Sequence, residues 1–175
     1  KEWGHEVFPL TEEALRAQLE TIFTGIGVDA AKTGMLATPY AIELSAEYIS
    51  KYNVKNYVLD PVMICKGGNI PLSPELNELL VKKLLPLAKI ITPNVFEAGQ
   101  IAHVETPSSL EEIKDAAKRI YDLGVPNVFI KGGSKLKDQT SSIDVFYDGS
   151  DFRYLEAELI KTEWTHGCGC TVAAA

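Results

Sequence analysis

The chain has 175 residues, with 17 Lys+Arg against 24 Asp+Glu, a formal charge of −7 at neutral pH and a mean hydropathy of +0.00. With 46% apolar and 23% charged residues it has the composition of one globular domain with a core of ordinary size, which excludes a disordered chain. No apolar stretch approaches the ~18 to 20 residues of a bilayer span, and an acidic balance without basic clusters argues against a nucleic-acid or anionic-membrane surface as the main partner.

A first helix is predicted over residues 11–23, where Leu15, Leu19, Ile22 and Phe23 recur at helical spacing; a short apolar run over 28–33 follows as a strand. Thr38 and Pro39 supply an N-cap and a first-turn proline for a helix carrying Ile42, Ala46 and Ile49, and Tyr57, Val58 and Leu59 then form a buried strand closed by Asp60-Pro61. Ser73-Pro74 opens a third helix through Leu76, Leu79, Leu80 and Leu84, and residues 89–92 make the next strand, ended by Pro93. Ser108 and Glu111 have the spacing of a capping box for a helix with Ile113, Ala117 and Ile120, which Gly124 stops before a strand over 128–131. Residues 143–147 and 152–155, joined through Asp148-Gly149, read as an antiparallel hairpin. Four helix-then-strand units in series predict an α/β fold: a mostly parallel sheet with helices on both faces and the hairpin at one edge.

Ligands of open α/β sheets bind at the carboxyl ends of the strands, so the residues that follow each strand are the candidates for chemistry. They read Lys32-Thr33-Gly34-Met35, Asp60-Pro61-Val62-Met63, Thr92-Pro93-Asn94-Val95-Phe96-Glu97, Lys131-Gly132-Gly133 and, after the hairpin, His166-Gly167-Cys168-Gly169-Cys170-Thr171. The last of these is a Gly-rich turn opening a helix. Glycines let backbone approach a ligand, the free N–H groups of a first helical turn attract an anion, and a thiol there suits acid/base or nucleophilic work. A plain helix N-terminus with one buried cysteine accounts for the same residues equally well. His166, Cys168 and Cys170 are zinc-ligand types, but they lack the second ligand pair of a structural zinc site.

Asn94 and Glu97, three apart, fit an N-cap with its third-position partner or, alternatively, oxygen ligands for a hydrated magnesium ion. Lys131 fits a phosphate-facing point charge or a solvated lysine beside a turn. Residues 65–71, with two glycines and Pro61 and Pro71 about them, suit a flap over the strand ends or an exposed loop. Three cysteines, Cys65, Cys168 and Cys170, make no disulfide framework and predict a reducing, cytoplasmic setting. No basic-then-apolar leader is visible, and a start without Met together with an end where a helix begins predicts an internal piece of a longer protein.

In order and approximate spacing, these strand-end motifs resemble the ribokinase superfamily, and within it the hydroxymethylpyrimidine (phosphate) kinase and pyridoxal kinase group. The resemblance covers essentially all 175 residues and implies a single ribokinase-like kinase domain over 1–175, truncated at both ends, with a three-layer fold. It implies an ATP- and Mg²⁺-dependent kinase acting on a small-molecule vitamer, commonly as a homodimer. By resemblance Gly167, Cys168 and Gly169 form an anion hole, and Cys170 stands where most sugar kinases of the superfamily have a catalytic aspartate. Asn94 and Glu97 correspond to the pair that organises magnesium and the phosphates, in part through water, and Lys131 to the phosphate-side lysine. Gly34 and Met35 belong to the substrate pocket. Cys65 resembles the flap thiol of dual-cysteine bacterial pyridoxal kinases, which adds to the aldehyde of pyridoxal; the segment 3–9 and the hairpin at Asp148-Gly149 look closer to that class as well. Cys168 departs from the Ala or Thr of relatives. The expected reaction is phosphorylation of the hydroxymethyl group of pyridoxal or pyridoxine, with the hydroxymethylpyrimidine kinases of thiamine biosynthesis as the alternative and a catalytically silent vitamer-binding protein as the alternative from another class.

Overall fold

Thr11, Thr38 and Ser73 each accept a hydrogen bond from the backbone N–H three residues on, and so start α1 (Glu12–Thr21), α2 (Pro39–Lys51) and α3 (Pro74–Leu84). Pro39 and Pro74 occupy first-turn positions, where a missing N–H costs nothing. The computed structural model describes residues 7–65, 70–71, 73–133, 136, 140–160, 162 and 166–175. The start of the segment 3–9 and the middle of the expected flap therefore lie outside the described residues.

The strands are β1 (Ala30–Thr33), β2 (Asn56–Leu59), β3 (Ile64–Cys65), β4 (Ile70–Pro71), β5 (Ile90–Ile91), β6 (Val128–Ile130), β7 (Ser141–Tyr147) and β8 (Phe152–Glu158). Six of them form one sheet in the order β1-β2-β5-β6-β7-β8. β1, β2, β5 and β6 run parallel, and β6–β7 and β7–β8 are antiparallel, as the serial helix–strand units and the terminal hairpin predict. β3 and β4 pair antiparallel as a separate two-stranded ribbon flanking the expected flap.

The remaining helices are α4 (Val95–Ala102), α5 (Leu110–Asp122) and α6 (Cys168–Ala174). The N-cap of α5 is Ser109, whose side chain accepts from Glu112 N–H at 3.3 Å, and not Ser108. Ser108 instead donates its own N–H to the Glu112 carboxylate at 2.7 Å, so the N-cap lies one residue beyond the predicted one and the glutamate reaches back past it. That register turns Ile113, Ala116, Ala117 and Ile120 inward, all fully buried. The core joins Tyr57, Leu59, Ile91, Val128 and Ile130 of the sheet to Ile42, Leu80, Leu84, Ile113 and Ile120 of the helices, each at most 1% exposed. Burial of one such aliphatic side chain contributes about 1.5–3 kcal/mol.

Candidate active site

The parallel ladder continues one residue beyond the strands and so fixes the residues that follow them. Asp60 N–H donates to Thr33 O at 3.0 Å, Thr92 N–H to Leu59 O at 2.9 Å and Lys131 N–H to Pro93 O at 2.8 Å. Asp60, Thr92 and Lys131 thus come side by side at the carboxyl edge of the sheet. Asp60 is only 1% exposed. The Lys131 ammonium, on a side chain 11% exposed, donates to Asp60 Oδ1 at 2.7 Å and to the carbonyl of Gly169 at 3.4 Å. Thr92 Oγ1 donates to the same Asp60 oxygen at 3.4 Å. Asp60 Oδ2 is buried with no hydrogen-bond partner among the described residues, and Lys32 Nζ lies 4.0 Å from it.

Asn94 and Glu97 adopt the capping arrangement. Asn94 Oδ1 accepts from Glu97 N–H at 3.0 Å, and Glu97 Oε2 accepts from Asn94 N–H at 2.8 Å, which starts α4. Glu97 is 4% exposed, and its Oε1 accepts a longer bond, 3.4 Å, from Met63 N–H. Burial pushes this carboxyl up to about 7, against the opposing pull of the Asn94 N–H and the Lys131 charge. Neither side chain is thereby excluded from a hydrated cation: the Glu97 carboxylate offers about four lone-pair sites, two of them used here, and the Asn94 amide oxygen keeps one of its two. Among the described residues no three His, Cys, Asp or Glu side chains group where they could hold a metal ion.

Gly167 sits in the left-handed region at φ 82° and ψ −13°, a conformation open to glycine, and starts α6 with no side-chain cap. Its carbonyl accepts from Thr171 N–H at 2.9 Å and from the Thr171 hydroxyl at 3.0 Å. Cys168 and Cys170 are free thiols and both are exposed, so the reading with a buried cysteine at this turn does not hold. Gly169 links the turn to Lys131 through its carbonyl. On the other side of Asp60, a Cβ at Gly34 would lie 3.3 Å from Lys32 Nζ, and Met35 is 38% exposed. Thr33 Oγ1, just before them, pairs with the Tyr57 hydroxyl at 2.6 Å; burial raises that phenol well above its ordinary value. Cys65 ends β3, five residues after Asp60, and its side chain lies outside what is described.

The structure places Lys131 beside Gly169, Asn94 and Glu97, and sets next to it Asp60 and Lys32, two members of the strand-end motifs to which the sequence reading gave no separate role. The available signal for Asp60 was a charged residue directly after an apolar strand. A mostly parallel sheet with helices, a lysine at its carboxyl edge and a Gly-rich helix start beside that lysine is the architecture of a ribokinase-like α/β protein.

A family model described as phosphomethylpyrimidine kinase matches residues 1–175, and the chain belongs to that family. It is 50% identical over 173 residues to the pyridoxine kinase of Bacillus subtilis (strain 168), across 99% of this chain and 64% of that one. An ADP complex of Bacillus subtilis pyridoxal kinase superposes with a TM-score of 0.92 at 49% identity, covering 99% of this chain and 65% of that one. The pyridoxal kinase from Staphylococcus aureus in complex with AMP-PCP and pyridoxal does so at 0.90 and 42%, covering 99% and 61%. The hydroxymethylpyrimidine/phosphomethylpyrimidine kinase of Bacillus subtilis (strain 168) is 42% identical over 171 residues, 98% of this chain and 62% of that protein. The chain spans just under two thirds of the length of each of these relatives.

Proposed function

We propose that the complete protein transfers the γ-phosphoryl group of ATP to the hydroxymethyl group of pyridoxal or pyridoxine. The observation that carries this reading is the Lys131 ammonium held against Gly169, which puts a point charge beside an uncapped, Gly-rich helix start. Phosphoryl transfer asks little covalent chemistry of a protein; positioning and charge neutralisation dominate. Lys131 and the N–H groups of Gly167, Cys168, Gly169 and Cys170 face the transferred phosphoryl. Asn94 and Glu97 are the residues that would hold Mg²⁺, and when bound the ion would neutralise phosphate charge. Cys170 accepts or steers the proton leaving the substrate hydroxyl. Gly34 and Met35 border the vitamer, and Cys65 adds to the aldehyde carbon of pyridoxal as a thiohemiacetal, the thiol proton passing to the aldehyde oxygen. A homodimer in the cytoplasm completes the proposal.

Pyridoxal is preferred to the pyrimidine because the identity to pyridoxine kinase exceeds that to the pyrimidine kinase and because Cys65 stands in the flap motif. Thiamine-pathway activity remains the second reading, favoured by the family whose model matches the chain. ATP turnover by the complete protein with Mg²⁺ is to be measured on pyridoxal, hydroxymethylpyrimidine and its monophosphate side by side. The expected result is phosphorylation of pyridoxal without a second phosphorylation of the pyrimidine. Efficient use of the pyrimidine monophosphate reassigns the protein, and tight pyridoxal binding without ATP consumption makes it a binding protein.

A further inference from the structure

We infer that Asp60 is a positioning residue that gathers two lysines, Lys131 and Lys32, into one cationic face toward the phosphates. The inference rests on the phosphoryl-transfer reading above. The three side chains come from the ends of β2, β6 and β1, and Asp60 and Lys131 are 71 residues apart in sequence. A carboxylate at 1% exposure is tolerated in a fold only when its charge is matched. The bonds around it do not themselves require a charge, since the Thr92 hydroxyl would be satisfied equally by an amide oxygen. What the carboxylate adds is attraction.

Its Oδ1 holds the Lys131 ammonium at 2.7 Å in the orientation that also reaches Gly169 O, while Oδ2 accepts no hydrogen bond among the described residues and lies 4.0 Å from Lys32 Nζ. Lys131 and Asp60 alone cancel, leaving a phosphate to meet a neutral pair. Lys32, with a side chain 28% exposed, restores one positive charge at the open side of the cluster. Glu97 is the other carboxyl facing Lys131, and its oxygens accept from the Asn94 and Met63 N–H groups. Lys32 is also the residue nearest the place a side chain at Gly34 would fill, which puts it between the phosphate side and the expected vitamer pocket.

The test uses the complete protein and a non-hydrolysable ATP analogue with Mg²⁺, titrated by calorimetry into the parent, Asp60→Asn, Lys131→Met, Lys32→Met and the Asp60→Asn/Lys131→Met pair, with circular dichroism melts confirming folding. Each single variant is expected to weaken binding about tenfold, the loss of one charge-assisted contact. The double variant is expected to lose no more than Lys131→Met alone, because Asp60 acts through that lysine. A purely structural Asp60 would give losses that multiply, and a purely repulsive one would make Asp60→Asn bind more tightly; either overturns the inference. Should Asp60→Asn fail to fold, unchanged affinity in Lys32→Met overturns it instead. A parent that binds the analogue but phosphorylates neither vitamer refutes the proposed function and leaves the affinities to decide Asp60. A parent that phosphorylates pyridoxal while its variants bind normally refutes Asp60 alone.

Discussion

Replacing Glu97 by Gln removes a buried acid while keeping an oxygen that accepts the Asn94 N–H, so the start of α4 is preserved. In the folded protein this carboxyl, ordinarily near 4.5, is pushed up to about 7, and burial is the largest cause. The folded state therefore keeps a proton that the unfolded chain gives up. Its contribution to stability is fully present below about pH 4.5, declines as the pH rises and is lost above about 7. Between these limits it amounts to roughly 3 kcal/mol, a sizeable share of the 5–15 kcal/mol that stabilises a typical domain. Urea unfolding at closely spaced pH values from 5 to 8 should show parental stability falling by about 2–3 kcal/mol more than that of Glu97→Gln across the same interval. Parallel curves for parent and variant would refute the reasoning, because they would mean that Glu97 titrates alike in the folded and unfolded chains.

Cys170→Ala should lower kcat at least about 10²-fold while nucleotide affinity stays nearly unchanged, the size expected when a general base is lost; steady-state kinetics with calorimetry of ADP binding checks both. Cys65→Ala should slow phosphorylation of pyridoxal more than that of pyridoxine, since only the aldehyde forms a thiohemiacetal, and equal losses in a paired assay would remove that role from Cys65. A Cβ at Gly132 would overlap the backbone carbonyl of Ile143, so Gly132→Ala should destabilise the fold by about 1–3 kcal/mol, read as a lowered urea midpoint. The Asp148 carboxylate accepts from the N–H groups of Ser150 and Asp151 and is held down to about 2, so an NMR titration should place its midpoint there, with the turn's contribution present above pH 3.8 and lost as the pH falls through 2.

Helix starts were legible because they are decided within four residues. Thr38-Pro39 and Ser73-Pro74 carry both the side-chain acceptor and the proline that a first turn accommodates. At Ser108-Ser109 the same local rule has two solutions, since each serine has a glutamate three residues on; inward packing of Ile113 and Ile120 favours the second. The mostly parallel sheet with its antiparallel edge hairpin was legible because sequential helix–strand units leave few topologies, whereas the strand order came from the structure. The β3–β4 ribbon was missed because two-residue strands carry no period.

The site divides in the same way. Gly167 to Cys170, and the Asn94-Glu97 cap, are each local in the chain, and the type and spacing of their residues single them out as candidates for a helix start. The buried cluster about Asp60 has no such mark. Whether Lys131 is a solvated surface lysine or a partner of Asp60 depends on two strand ends brought together across the sheet, 71 residues apart in sequence, and on the exclusion of water that makes the pairing obligatory. Local hydrogen bonds and hydrophobic period lie in the sequence itself; the strength of a charge pair depends on its surroundings, which only the folded chain supplies.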